Sequence, residues 1–507
     1  MANTYDTERT LAGTYSCEAG GEYTLPDYTP EVRRVIRVDC DATVTGQYDT
    51  QDKTEVGGDV TYCLIYLDGD GALSSVTLDG TFSCQIPGGE GVRMQVVPTV
   101  DGVTCRLGGP RRVTMKANMT LRPIAVRSET LTEAETADLG ECEILRRPLT
   151  VGETVFFEGE ENDLTDSVKA EPDSRLLSVC GRVLVREAKA EVGAVRVRAD
   201  LWMTALCADG SGTPYTVRGK IPVEETISEE RLTPAFCAMA FGRCSVCSAS
   251  FANEEGSDRL VFDARVTLFG VAVNNEVVTP MCDVYALEYP ISVSRAPVTG
   301  RYYPACLQGN CTVDGSMPLA ELGLTEEAVP LDGRGQASVT SCTADGAEVT
   351  MEGEIRMFCL LGVPGDESYA GATFRFPWKA RMTAKEPLPA GAQVMPQVQV
   401  VGCHVRSDGQ KLSADAELQL SCLATATNEI EAVDGITADT EHPFALRRGE
   451  IVAAYLEGGD SLWSVGKRYH VPLGGLADAN SVPREALETP DLAQHLDGLS
   501  HLMLEYD

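Results

Sequence analysis

The nine residues VTMKANMTL at 113–121 decide the fold, because apolar side chains recur at every second position: Val113, Met115, Ala117, Met119 and Leu121. That period belongs to a strand with one face buried and the other in water, as in a half-buried antiparallel sheet. Two later stretches carry the same pattern, LVFDARVTL at 260–268 and LSADAELQL at 412–420, each with a central Ala and a final Leu at equal offsets. Upstream of each lies a segment that opens on Glu-Val: EVGGDVTYCLIYLDGDG from Glu55, EVGAVRVRADLWMTALCADGSG from Glu191 and EVTMEGEIRMFCLLGVPGD from Glu348. Self-similarity on this scale predicts one unit written three times, with loops that vary in length. Each unit needs a second sheet over its apolar face, so the expected fold is mainly β, with three repeated β-sandwich-like units or partly closed barrels. Asp68-Gly69-Asp70-Gly71 and Asp209-Gly210-Ser211-Gly212 are predicted hairpin turns, and Asp70, Asp209 and Asp408 are expected to serve them.

A chain of 507 residues exceeds what one core can organise. The alternation stops at three places. SETLTEAETADLGECE from Ser128 has helical spacing and is expected to open the second unit. Further joins are expected near Pro290 in YPISVSRAPVTG and in ATNEIEAVDGITADTEHPF before Ala445. The predicted division is therefore 1–127, 128–291 and 292–440, followed by a terminal module at 447–507.

Acidic residues outnumber basic ones 76 to 42, for a formal charge of −34. Such a surface repels phosphate backbones and anionic lipid heads, so neither nucleic-acid binding nor membrane-surface binding is expected; the acidity either keeps an abundant or self-associating protein soluble, the reading preferred, or suits a basic partner surface. No apolar run reaches the roughly eighteen residues of a membrane span. The opening MANTYDTERTLAG has neither the basic nor the apolar region of a secretory signal, so synthesis in a cytoplasm is the expectation. There, most of the 18 cysteines should be reduced and buried, as Cys63 in VTYCLIYL and Cys359 in IRMFCLLG suggest. So many thiols could still cross-link if the protein later met oxidising surroundings.

The parts of an active site are scarce. His404 is the single histidine of the first 441 residues, and His442, His470, His495 and His501 cluster near the end. Triads and zinc enzymes lose their usual parts. Cys244-Ser245-Val246-Cys247 is one CxxC, with Cys237 upstream but no second pair or nearby His, so buried strand cysteines outweigh a metal or redox reading. No G-x-x-x-x-G-K-[ST] occurs, and GGEG near Gly88 reads as an exposed hairpin. No catalytic residue, metal or cofactor is expected.

The first unit opens with GGEYTLPDYTPEVRRVIRVDCDATVTG, in which Leu25-Pro26-Asp27 with Pro30, the ladder Val35, Ile36 and Val38, and the trailing GGPRRVTMKANMTL resemble the SPOCS domain of endospore-forming Firmicutes. The second unit keeps AEPDSRLLSVCGRV from Ala170, and the third only GRGQASVTS. The resemblance implies spore-coat assembly through protein contacts, without catalysis. Read from its residues alone, Leu25-Pro26-Asp27-Tyr28 is a positioning turn in which Pro fixes φ and Asp caps.

The tail changes character. YLEGGDSLWSVGKRYHVPLGGLADANSV predicts a strand, a Gly-Gly-Asp turn, and a helix carrying Leu462, Val465 and Tyr469 on one face. Asp460 or Ser461 can cap that helix, Pro472 ends it or starts the next, and LSHLMLEY from Leu499 alternates like a closing strand. These residues resemble a LysM domain, a small βααβ module that in most members binds N-acetylglucosamine glycans such as peptidoglycan. Two loops would form the binding site by that resemblance: Gly459, Asp460, Ser461 and Leu462, and Asn480, Ser481, Val482 and Pro483. The extended connection PREALETPDLAQHLD departs from the family at the second loop. Trp463 is expected in the core rather than on a sugar.

Three such units with a LysM-like tail resemble the SipL-type spore-coat morphogenetic proteins. That likeness implies a scaffold in the mother-cell cytoplasm at the forespore surface, docked through its tail on the coat's basement-layer ATPase, with self-association through the β units. The other readings are a peptidoglycan-binding wall or cortex protein whose body is a spacer, and an enzyme whose site the sequence does not reveal.

Overall fold

The computed structural model describes residues 3–506 apart from position 12 and positions 137–138, 255–256, 365–367 and 446–448. Strands hold 70% of the residues and helices 6%, so the chain is mainly β. The first strands are β1 (Thr4–Leu11), β2 (Tyr15–Thr24), β3 (Arg34–Asp49), β4 (Lys53–Leu67), β5 (Leu73–Pro87), β6 (Val92–Gly109) and β7 (Arg112–Thr132). There follow β8 (Cys142–Arg146), β9 (Leu149–Glu158), β10 (Asn162–Lys169), β11 (Arg175–Glu191), β12 (Ala194–Ala208), β13 (Pro214–Ser228), β14 (Cys237–Glu254), β15 (Ser257–Val278) and β16 (Met281–Ala286). The last part of the body holds β17 (Ile291–Pro318), β18 (Val329–Asp345), β19 (Glu348–Gly362), β20 (Tyr369–Thr383), β21 (Gln393–Ser407) and β22 (Lys411–Ala438).

Three antiparallel sheets run β3-β4-β5, β11-β12-β13 and β18-β19-β20. Each faces a second sheet whose central strand carries one of the alternating stretches: β7 between β2 and β6, β15 between β10 and β14, and β22 between β17 and β21. Val113, Met115, Ala117, Met119 and Leu121 point into the enclosed core with Val60, Tyr62 and Leu64 of the opposite sheet. Val266 and Leu268 do so against Val197 and Leu201, and Leu418 and Leu420 against Ile355 and Met357.

The registers agree as closely as the orders. The first strand of each three-stranded sheet carries two bulges nine residues apart, at Ile36 and Thr45, at Leu177 and Arg186, and at Leu331 and Thr340. On the facing sheets a bulge falls at Asp101, Ser245 and Val401, each time opposite the sixth and seventh residues of the alternating stretch. A bulge inserts one residue and turns the strand. Here it sends Ile36, Leu177 and Leu331 out of their own cores into a common apolar cluster with Ile65, Leu206 and Leu360.

Several local expectations change. Asp209 and Asp408 do accept from amides of their turns, Ser211 and Thr213 in one and Gln410 and Lys411 in the other, but in the first hairpin Asp68, not Asp70, is the acceptor, from the amides of Asp70 and Ala72. The acceptor must precede the amides it binds. Residues 88–91 are a crossing from β5 to β6, which lie in different sheets, not a hairpin. Gly89 sits there at φ +95, where an added Cβ would lie 2.4 Å from the Gln51 carbonyl oxygen. At Pro26 the turn is closed by Thr29, whose hydroxyl donates to the Pro26 carbonyl at 2.7 Å, while Asp27 is exposed. The expected helix after Ser128 is strand up to Thr132, because β1 pairs along residues 125–132 and satisfies their backbone; positions 137–138 of that stretch lie outside the described residues. Arg127, the expected first join, is therefore inside β7.

The chain ends in β23 (Ile451–Tyr455), α1 (Leu462–Tyr469), α2 (Leu473–Ala479) and β24 (His501–Glu505), with β23 and β24 antiparallel. Among the described residues no helix is long and apolar enough to cross a membrane.

Candidate functional site

Helix α1 starts as its sequence dictates. Ser461 is the N-cap, its hydroxyl accepting from the Ser464 amide at 3.1 Å while Ser464 returns a bond to the Ser461 amide at 2.8 Å. Asp460 serves the preceding turn instead: it accepts from the Glu457 amide at 2.9 Å and from Arg468 at 2.6 Å. Burial opposes its charge, but these bonds outweigh burial and hold its pKa below the usual carboxylate value. His470 takes the left-handed cap position at φ 55, and Pro472 is the N-cap of α2.

The eight residues expected to bind divide into three groups. Asp460, Ser461, Leu462 and Val482 are buried parts of the module. Asn480 is a clamp, its amide donating to the Leu476 and Met503 carbonyls at 2.8 Å each and its oxygen accepting from the Met503 amide at 2.6 Å. Gly459, Ser481 and Pro483 are exposed. The extended connection folds into two short turns, Arg484–Leu487 and Ala493–Leu496, and between them the Pro490 carbonyl accepts from the Trp463 amide at 2.8 Å. A backbone donor at the start of α1 is thereby spoken for.

Trp463 shows where the module is anchored. It is 5% exposed, its ring meets Tyr285 edge-on at 5.0 Å, and its Nε1 donates to Asp283 at 2.8 Å. Both partners belong to β16, which pairs with β8 in a small two-stranded sheet of the body. Lys467 donates to both Asp283 oxygens at 2.7 Å, and Arg295 reaches the same carboxylate. Burial works against that charge, yet the bonds from Lys467 and Trp463 and the neighbouring cations keep Asp283 below its ordinary pKa. Tyr285 donates to the Val471 carbonyl at 2.8 Å, Glu143 of β8 accepts from the Leu473 amide at 2.9 Å, and the His470 ring stacks on Phe444 at 3.8 Å. A cavity of about 330 Å³ opens beside this seat, against Tyr289, Val293 and Phe444.

The two-stranded sheet of β23 and β24 presents Ile451 at 65% and Tyr455 at 76% exposure, with Ala453 between them and Tyr455 beside His501. Neither Ile451 nor Tyr455 stands out in the sequence, because all five residues of IVAAY are apolar and no alternation marks which face is exposed.

A second polar constellation lies where β3, β11 and β18 converge. Aligned on their bulges, these strands place Arg37, Ser178 and Asp332 at one level, Asp39, Cys180 and Arg334 at the next, and Asp41, Arg182 and Gln336 at a third. Arg37 pairs with Asp332 at 2.7 Å with side chains 2% and 1% exposed, and with Asp39 at 3.0 Å. Arg182 pairs with Asp41, and Arg334 reaches Cys180. For Asp332, burial opposes ionisation but the Arg37 and Arg334 charges prevail and lower the pKa. A cavity of about 270 Å³ borders this cluster, lined by Asp39, Asp41, Arg182 and Arg334 and by the thiols of Cys40, Cys63, Cys180, Cys247 and Cys403. Around it, Arg175 donates to the Leu73 carbonyl at 2.6 Å and Arg34 to the Tyr369 carbonyl at 2.5 Å. These are matching bonds from first strand to third strand, running from one sheet to another around the junction.

The CxxC lies on the wall of the neighbouring cavity. On a regular strand, residues three apart point to opposite faces, but the bulge at Ser245 brings Cys244 and Cys247 to the same one, both over Gly181. Among the described residues no three His, Cys, Asp or Glu side chains are grouped to hold a metal ion. Compared with protein-family models, curated proteins and solved structures, the chain matches none.

Proposed function

We propose that the protein is a non-catalytic scaffold of endospore coat assembly, with a body of three SPOCS-like units and a LysM-like terminal module that docks a protein of the coat's basement layer. Three copies of one unit account for the equal sheet orders and for bulges at equal offsets. Unit boundaries near 127, 291 and 440 remain our reading, with β7 carrying the first unit on to Thr132. The order strand, helix, helix, strand with a capping box supports the LysM-like assignment. On this reading the protein works in the mother-cell cytoplasm at the forespore surface and associates with further copies through its β units.

The observation that carries protein docking over sugar binding is Trp463. This aromatic ring, next in sequence to the first candidate loop, packs on Tyr285 and Asp283 of the body, and Pro490 takes up its backbone amide. Left for a partner are Gly459, Ser481 and Pro483 at the loops and the apolar strip of Ile451, Ala453 and Tyr455. Such a strip suits an apolar protein surface, and the formal charge of −34 favours one rimmed by Lys and Arg.

The test immobilises the full chain and offers it, separately, the purified basement-layer ATPase and purified peptidoglycan. Retention of the ATPase, weakened at least tenfold in the Ile451→Ser/Tyr455→Ala double variant, is expected. Retention of peptidoglycan alone would overturn docking in favour of a wall-binding protein.

A further inference from the structure

We propose that Cys237 and Cys306 form an oxidation site, at which a low-molecular-weight disulfide converts two facing thiols into a covalent staple between β14 and β17. The two strands belong to different sheets and the two cysteines lie 69 residues apart in sequence, so the bond would tie the second part of the body to the third.

Geometry prepares the pair. Cys237 is the first residue of β14 and is exposed, with its Sγ 3.2 Å from the Cys306 carbonyl oxygen. Cys306 lies deeper, against the apolar cluster of Met239, Phe241 and Leu423. The strands are pinned beside the thiols by Gln308, whose side chain accepts from the Ala240 amide at 3.2 Å and donates to the Ala240 carbonyl at 2.5 Å. A hydrogen bond from the Cys306 thiol, with burial opposing and the Lys385 charge assisting, pulls the Cys237 thiol down to about 7. The same bond pushes Cys306 well up. The exposed sulfur is thus the nucleophile at neutral pH and the buried one the resolving thiol.

The chemistry balances in two exchanges. The Cys237 thiolate attacks one sulfur of the small disulfide and expels a small thiolate, leaving a mixed disulfide on Cys237. Cys306 then gives up its proton to the expelled thiolate and attacks the Cys237 Sγ, expelling the second small thiolate, which takes a proton from solvent. Two protein thiols are oxidised, and one small disulfide is reduced to two thiols.

The experiment treats the reduced full chain with oxidised glutathione at neutral pH, alkylates the remaining thiols, and maps unreduced peptides by mass spectrometry. A peptide pair joined at Cys237 and Cys306 is expected, together with a rise in the Tm of the oxidised chain that Cys237→Ser lacks. Cys306→Ser should instead trap glutathione on Cys237. The proposal is overturned if glutathione stays on Cys237 of the unaltered chain while Cys306 is alkylated, if neither thiol is oxidised, or if Cys237→Ser keeps the same Tm rise.

Discussion

The junction of the three-stranded sheets and the seat of the terminal module are both held by carboxylate–cation pairs, yet they sit in different surroundings. At the junction, Arg37 and Asp332 are 2% and 1% exposed and lie next to the shared cluster of Ile65, Leu177 and Leu360. At the seat, Asp283 is 14% exposed and Lys467 38%, beside an open cavity. A charge in the first place has no water to fall back on, and one in the second does. Similar chemistry therefore makes an obligatory lock in one region and a releasable dock in the other.

The strongest way to break that contrast is at Arg37. Arg37→Ala leaves Asp332 charged and buried, and removing one partner of a buried pair costs about 3–5 kcal/mol. A single unfolding transition of the whole body, shifted to lower denaturant, is expected. The pair is itself imperfect, since Arg37 Nε and Nη1 and Asp332 Oδ1 are buried without hydrogen-bond partners among the described residues. Arg37→Met with Asp332→Leu should accordingly recover most of the loss, and failure to do so would mean that the pair is needed for more than neutralisation.

A smaller and differently shaped effect is expected at Asp283. Asp283→Ala leaves Lys467 able to turn to water and Trp463 Nε1 without its acceptor. The cost is about 1 kcal/mol, the low end for an unmet partner because Lys467 is more than a third exposed. The body transition should stay where it is while proteolysis in residues 439–450 accelerates severalfold. Loss of body stability would show that the seat is part of the lock.

What the sequence made legible is the part governed by local period. The alternation of Val113 to Leu121 fixes which face is buried, and Ser461 with Ser464 fixes where α1 begins, because both depend on near neighbours. The junction was hidden. Asp39, Arg182 and Arg334 look like ordinary polar residues of amphipathic strands until the bulges at Ile36, Leu177 and Leu331 turn those strands toward one another. The seat was hidden for a related reason. Asp283 and Tyr285 are far from Trp463 in sequence, and MCDVYA has the look of a buried strand with a stray acid. The loops carried over from the resemblance fall at the start of α1 and just after α2, and whether a side chain there faces solvent or the module's own core depends on the extended connection, whose Pro490 carbonyl takes the Trp463 amide.

Within the module, Asn480→Ala removes two bonds that join the end of α2 to Met503 of β24 and one back to Leu476 of α2 itself, and leaves the Met503 amide and carbonyl half-covered. A loss of about 1–3 kcal/mol confined to the module is expected. Hydrogen exchange should rise at Met503 and Leu504 with the junction amides unchanged, which separates this internal clamp from the seat.

The smallest effect is that of pH on the dock, and its sign follows from two groups. Asp283 has its pKa lowered in the seated state, so its contribution is complete above the ordinary value of 3.8 and is lost as pH falls through the lower, seated value. His470 is held below its ordinary 6.5, mainly by burial, so the seated state prefers the neutral ring stacked on Phe444. Release lets that ring take a proton, which means that docking weakens as pH falls below 6.5 toward the seated value, well before Asp283 responds. Protease sensitivity of residues 439–450 should therefore rise in two steps on acidification. His470→Asn keeps a residue that tolerates the left-handed φ of 55 and should erase the upper step alone. A single step near the carboxylate range in the unaltered chain would show that the stacked ring, unlike Asp283, does not distinguish the seated from the released module.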